Sequence, residues 1–228
     1  MPNARTALII GASRGLGLGL VQRLHEDGWA IVATVRDAQK ADALRAIPGV
    51  RVETLEMNDA GQLDALQQRL QGEVFDLLFL NAGVMGREPH DPETATEQEI
   101  GALFMTNAVS PIRVARRLVG QVREGSGVLA FMSSALGSVG NPTSNHICFY
   151  KASKAALNSM INSFVAELEH PGLSVIAMHP GWVRTDMGSD QADIDVFTST
   201  QGMLEQVKTY SGKPGLHFIN YRGDPLTW

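Results

Sequence analysis

The sequence predicts an α/β protein whose parallel sheet is covered by helices on both faces, and three observations carry that expectation. Seven short apolar runs recur along the chain, helical patterns separate most of them, and residues suited to tight turns follow several of the runs. A short continuous apolar run reads as a strand buried on both faces. Strands joined through helices cross over in one hand and lie parallel, which makes the sheet doubly wound. In such a sheet ligands bind outside the carboxyl ends of the strands.

The first run, residues 6–10, leads into Gly11-Ala-Ser-Arg-Gly15-Leu-Gly17, and a helical pattern follows from Leu16 to His25. Glycines between a strand and a helix N-terminus let backbone N–H groups approach a pyrophosphate, whose charge the helix dipole favours. The second and third runs, 30–35 and 50–55, end near Arg36 and Glu56, and the fourth, 75–80, precedes Asn81. Residues 86–92 read as a loop, and Thr96-x-x-Glu99 as a capping box for the next helix. That helix carries Asn107, with Pro111 four residues on. Proline has no N–H, so a helix running through it leaves the Asn107 carbonyl without its usual donor. A free carbonyl could hold an ordered water, or the proline could simply bend the helix around the sheet.

The fifth run, 127–132, precedes Ser133 and Ser134. Then comes Tyr150-Lys-Ala-Ser-Lys154 in a helical pattern, a phenol and an ammonium one turn apart on one face. A positive charge about 4 Å away at an effective dielectric of ~20 favours the phenolate by roughly 4 kcal/mol, about three pKa units. That shift would make Tyr150 a general acid/base, although a tyrosine and a lysine four apart also occur on ordinary amphipathic helices. The sixth run, 174–179, leads into Pro180-Gly-Trp-Val-Arg-Thr185. Residues 187–196 carry Asp190, Asp193 and Asp195 without a clear period and read as a mobile lid entering a helix near Thr198-x-x-Gln201. The seventh run, 216–219, precedes a tail ending in Trp228, which would pack on a partner subunit or on its own core. Gly11, Asn81, Ser134 and Pro180 each follow a predicted strand, so they converge on one edge of the sheet.

The 228 residues read as one domain, 1–228, with no repeat or linker. Lysine and arginine total 19 against 24 acidic residues, a net charge of -5, and the basic residues are scattered. That balance argues against nucleic acid as a partner. Cys148 alone excludes an internal disulfide, and no Cys/His cluster has metal-ligand spacing. The start lacks a secretory-signal pattern and no apolar run approaches the ~18 residues of a membrane span, so the expected location is cytoplasmic, away from membranes.

Taken together, the glycine turn, Tyr150-x-x-x-Lys154, Asn81-Ala-Gly83, Asn107, Ser133-Ser134 and Pro180-Gly181-Trp-Val183-Arg-Thr185 resemble the short-chain dehydrogenases/reductases in their compact one-domain branch. The likeness spans nearly the whole chain. Residues 133–138 and 180–188 look closest to a subgroup containing insect Sniffer-type carbonyl reductases and the bacterial C-factor signalling protein. The resemblance implies a Rossmann-type fold and hydride transfer from a reduced nicotinamide to an aldehyde or ketone. Tyr150 would give the proton, Ser134 hold the carbonyl oxygen, and Lys154 bind the nicotinamide ribose and lower the tyrosine pKa. Asn107 would link the lysine through water to solvent. Ser134 is preferred to Ser133 because the second serine of the pair usually fills this place in the family.

The cofactor contacts implied are Gly11, Ser13, Arg14, Gly15, Leu16, Gly17, Arg36, Glu56, Met57, Asn81, Ala82, Gly83, Tyr150, Lys154, Pro180, Gly181, Val183 and Thr185. NAD-preferring relatives place an acid just past the second strand; here Val35 and Arg36 stand there. Arg14 could converge on the same spot, and two guanidiniums suit a 2′-phosphate, so NADP(H) is expected. Asp37 could instead be read as the ribose ligand. Two residues depart from the family pattern. Ile10 replaces a threonine that commonly ties the glycine turn, and Glu56 replaces an aspartate that meets the adenine. The segment between Ser134 and Tyr150 is longer than usual and is expected to form part of a substrate wall, with His146 a surface residue within it. Relatives often pair into homodimers or homotetramers. A nucleotide-binding signalling protein with little turnover is the alternative function; an epimerase or dehydratase on nucleotide sugars would need an extra domain for which there is no room.

Overall fold

The computed structural model describes residues 4–140, 146–168 and 172–228. Seven strands form one sheet: β1 (Thr6–Ile10), β2 (Ala30–Val35), β3 (Val50–Thr54), β4 (Leu77–Leu80), β5 (Val128–Met132), β6 (Ser174–His179) and β7 (Gly215–Asn220). Every neighbouring pair is parallel, in the order β3-β2-β1-β4-β5-β6-β7. The order reverses between β1 and β4, so a crevice opens where the chain leaves those two strands in opposite directions.

The helices are α1 (Gly15–Glu26), α2 (Asp42–Arg45), α3 (Ala60–Arg69), α4 (Glu97–Phe104), α5 (Ser110–Leu118), α6 (Cys148–Glu167) and α7 (Val196–Tyr210). Side chains alternate across a strand, and the alternation divides the interior into two cores. Leu8, Ile10, Leu78, Leu80, Leu129, Phe131, Val175 and Ala177 face α3, α5 and α6 through Leu66, Ile112, Leu157 and Ile161. Ala7, Ile9, Leu77, Phe79, Val128, Ala130, Ile176 and Met178 face α1, α2 and α7 through Leu20, Leu44 and Met203. Four central strands buried on both faces explain why the sequence shows unbroken apolar runs there.

The expected elements are found with small shifts. β4 begins two residues later than expected, because Phe75 makes only an isolated bridge to Val122. The capping box forms, with the Thr96 hydroxyl accepting from the Glu99 N–H and the Glu99 carboxylate accepting from the Thr96 N–H. The expected start of α7 is corrected: Asp195 is its cap, accepting the Thr198 N–H at 2.8 Å, so Thr198 lies inside the first turn. Asp195 is therefore a helix cap, one of the three carboxylates assigned to a lid. The segment before it is folded back: Arg184 N–H donates to the Ile194 carbonyl, Ile194 N–H to that of Trp182, and the Arg184 guanidinium to that of Ala192. Trp228 packs on Phe218 of its own core, ring centres 4.9 Å apart. No helix among the described residues is long and apolar enough to cross a membrane.

Candidate active site

The glycine turn is built by close approach. A Cβ on Gly11 would lie 2.6 Å from that of Ala82, and φ there is +85°, a region that favours glycine. A Cβ on Gly17 would lie 2.2 Å from the Gly11 carbonyl oxygen, so α1 can start this close to β1 only with hydrogen in that place. The Asn81 amide donates to the Gly11 carbonyl at 2.6 Å, and the N–H groups of Asn81 and Ala82 both donate to the Ile10 carbonyl, each at 3.0 Å. The loops after β1 and β4 are thus one bonded unit at the switch point.

The tie expected to be missing at Ile10 is supplied from the next strand. The buried Thr34 hydroxyl in β2 accepts the Gly11 N–H at 2.9 Å, while its carbonyl accepts the Ala12 N–H at 2.8 Å. Sequence reasoning missed Thr34; the available signal was a lone hydroxyl in an otherwise apolar strand. At the start of α1, Arg14 makes no side-chain cap and the first turn carries no acid. That leaves the positive end of the helix dipole facing outward, an environment that fits an anionic group such as a pyrophosphate. Ser13 lies in the turn after β1, Leu16 in the first turn of α1 and Met57 in the loop after β3, and Pro180, Gly181, Val183 and Thr185 follow β6 on the same edge, with the Thr185 methyl 3.7 Å from where a Gly15 Cβ would sit.

The two arginines are not brought together by contacts. Arg14 pairs with Asp186, beyond the loop after β6, and Arg36 lies 3.9 Å from the Glu56 carboxylate. The Glu56 carboxylate also accepts the Asn58 N–H at 3.1 Å, which turns it toward its own loop. Both arginines are largely exposed.

At the other end of the crevice, Tyr150 and Lys154 project from one face of α6, the ammonium 5.7 Å from the ring centre. Ser134, not Ser133, hydrogen-bonds the Tyr150 hydroxyl. The Ser133 hydroxyl instead donates to Asn158 at 2.5 Å. Lys154 is buried and donates to the Met132 carbonyl at 2.8 Å. Gly137 explains how the loop carrying Ser134 reaches α6, since a Cβ there would fall 2.9 Å from the Lys154 carbonyl. The expected longer segment before α6 lies partly outside the described residues.

Asn107 is fully buried in a π-helical turn, Met105–Val109, between α4 and α5. The Ser110 N–H reaches back to the Met105 carbonyl, the wider spacing by which the helix absorbs Pro111 at the start of α5. The Asn107 side chain holds the loop after β4, accepting the Val84 N–H at 2.9 Å and donating to the Val84 carbonyl at 2.8 Å and to Ser153 at 3.0 Å. Asn107 Oδ1 and Lys154 Nζ would lie 3.4 and 3.5 Å from a Cβ on Gly83, so both side chains meet beside that glycine. The structure thus brings Asn81, Ala82, Gly83, Asn107, Ser134, Tyr150 and Lys154 to one edge.

The electrostatics correct one expectation. Burial pushes the Tyr150 phenol up to about 12, with the Ser134 hydrogen bond opposing it, and the lysine does not lower it. The reason is geometric: the ammonium is turned to the Met132 carbonyl, and burial itself brings Lys154 down to about 8. Tyr150 is therefore a neutral hydroxyl near pH 7.

This arrangement has counterparts among known proteins, and the family model for short chain dehydrogenases matches residues 5–194. The chain belongs to the short-chain dehydrogenase family. It is thus an oxidoreductase enzyme of that family. The protein named C-signal from Myxococcus xanthus is 32% identical over 156 residues, 67% of this chain and 92% of that one. A carbonyl reductase from Pseudomonas aeruginosa in complex with NADP superposes with a TM-score of 0.92 at 36% identity, covering 99% of this chain and 100% of the other. The carbonyl reductase Sniffer of D. melanogaster gives 0.88 at 27% identity, with the same coverage of each. The short-chain dehydrogenase described here shares its fold over nearly the whole chain with these two carbonyl reductase structures.

Proposed function

We propose that this short-chain dehydrogenase reduces an aldehyde or ketone to an alcohol with NADPH, and that Tyr150 gives the proton to the carbonyl oxygen. The observation that carries the reading is the buried Tyr150 hydroxyl bonded to Ser134 and set one turn from Lys154, beside the loops that can hold a dinucleotide. The NADP-bound carbonyl reductase of the same architecture supports the cofactor. When bound, NADPH supplies the hydride.

The chain's residues do the rest. The α1 N-terminus and the Gly11, Ser13, Gly15 and Gly17 backbone take the pyrophosphate, and Arg14 and Arg36 sit at the exposed end where a 2′-phosphate would be met. For Arg14 this means exchanging Asp186 for a phosphate, and for Arg36 turning from Glu56. Lys154, brought down to about 8 by burial yet still charged near pH 7, suits a ribose hydroxyl. Ser134 is placed to share its hydrogen bond between Tyr150 and a substrate oxygen. Burial keeps Tyr150 protonated at neutral pH, the form that reduction needs, and efficient donation further requires bound cofactor and substrate to bring its pKa down toward the working pH.

The relative named C-signal makes a signalling role with little turnover the second reading. A protein that only senses the nucleotide has no use for the buried Ser134–Tyr150 pair. The test is Tyr150→Phe, assayed by NADPH oxidation against a panel of carbonyls. Loss of turnover by about 100-fold or more with NADPH binding retained is expected, since general acid catalysis contributes about 10²–10⁴-fold. Wild-type activity in this variant refutes Tyr150 as the acid, and a wild-type enzyme inert toward every carbonyl favours the signalling reading.

A further inference from the structure

In the loop after β4, His90 lies buried beside the turn of α6 that carries Tyr150. It touches three consecutive residues there. Its Nδ1 accepts the Tyr150 backbone N–H at 3.4 Å, its ring stacks on Phe149 with centres 5.9 Å apart, and its carbonyl accepts the Cys148 thiol at 3.0 Å. α6 begins at Cys148, so Tyr150 is its third residue, and the N–H at that position has no acceptor within the helix. Helices ordinarily satisfy it with a Ser, Thr, Asp or Asn at the cap. Here the cap is Ile147, which has no such group.

We propose that His90 is a positioning residue for Tyr150, capping α6 from another part of the chain and so setting where the phenol sits against Ser134 and Lys154. Stacking on Phe149 asks only for an aromatic ring. The imidazole adds one nitrogen in use, Nδ1, and its acceptor role places the ring proton on Nε2. Nε2 is buried without a hydrogen-bond partner among the described residues, a cost a purely apolar ring would avoid. Asn107 fixes the near end of the same loop through Val84, so His90 and Asn107 together brace it on the catalytic helix.

The proposal rests on the reading of Tyr150 as the acid, and its test separates the two. His90→Phe keeps the ring and removes the acceptor; the cavity of about 120 Å³ beside His90, lined in part by Ile100, Leu103 and Phe149, takes the larger ring. His90→Asn returns an acceptor near the place of Nδ1. Hydrogen exchange of the Tyr150 amide reads the cap without any turnover: roughly fivefold faster in His90→Phe and restored in His90→Asn, the change expected for one lost hydrogen bond. In carbonyl reduction kcat should fall about fivefold or more in His90→Phe, with KM for NADPH unchanged, and recover in His90→Asn. Unchanged amide exchange in His90→Phe overturns the cap. Altered exchange with wild-type kcat, or equal loss of kcat in both variants, overturns the positioning role. If exchange responds as expected but Tyr150→Phe keeps full activity, the cap stands and the acid assignment fails.

Discussion

Replacing Thr34 by valine isolates a contact that no motif announces. The hydroxyl is buried in β2 and accepts the Gly11 N–H at 2.9 Å; valine keeps the shape and removes the acceptor. A donor left unpaired in a buried turn costs about 1–3 kcal/mol. For a domain of this size 1 kcal/mol moves the melting midpoint by about 2–4 °C, so a central cost of ~2 kcal/mol lowers Tm by roughly 4–8 °C. Thr34→Ser, which retains the hydroxyl, should lose much less. The same turn presents backbone N–H groups to the proposed pyrophosphate, so NADPH affinity should fall with stability in the valine variant. Thermal unfolding and a fluorescence titration of NADPH check both. A Thr34→Val protein that melts and binds NADPH like the wild type refutes the argument that β2 ties the turn.

Other substitutions reach different parts of the molecule. Burial lowers the His179 imidazole to about 4, below its ordinary 6.5, so its contribution is present above pH ~6.5 and lost as the pH falls toward 4. His179→Gln should therefore flatten the urea-midpoint profile between pH 7 and 4, by up to roughly 3 kcal/mol relative to the wild type; parallel profiles would show that the imidazole is not held neutral. Asp195→Ala removes the α7 cap and should lower the denaturant midpoint of unfolding, whereas Thr198→Ala, in the exposed first turn, should lower it less. Arg36→Ala should raise KM for NADPH about tenfold to a hundredfold and leave KM for NADH nearly unchanged, as expected for a charged hydrogen bond to the 2′-phosphate; an equal rise for both cofactors removes Arg36 from that contact.

Most of the architecture was legible because doubly buried strands leave unbroken apolar runs. β1, β2 and β6 have the ends expected, and the turns after β1 and β4 lie together at the switch point as their glycines and Asn81 indicated. Where a local signal was shared by two candidates, the prediction slipped. Thr198-x-x-Gln201 and Asp195 could each open α7, and only the chain's path after β6 favours the aspartate. The lid segment looked mobile because three carboxylates follow no period, while its fastening runs through backbone groups and the Arg184 side chain.

Sequence alone determined the parallel sheet, the glycine turn, the pairing of Tyr150 with Lys154 on one helical face and the membership in a family, because each depends on residue type and spacing within a short stretch. Tertiary structure decided what depends on contacts distant in sequence. It set Thr34 against Gly11, His90 against Tyr150 and the Lys154 ammonium against the Met132 carbonyl. It also set the sign of the tyrosine's shift: spacing brings a cation near the phenol, but burial and the direction in which that cation points govern its charge.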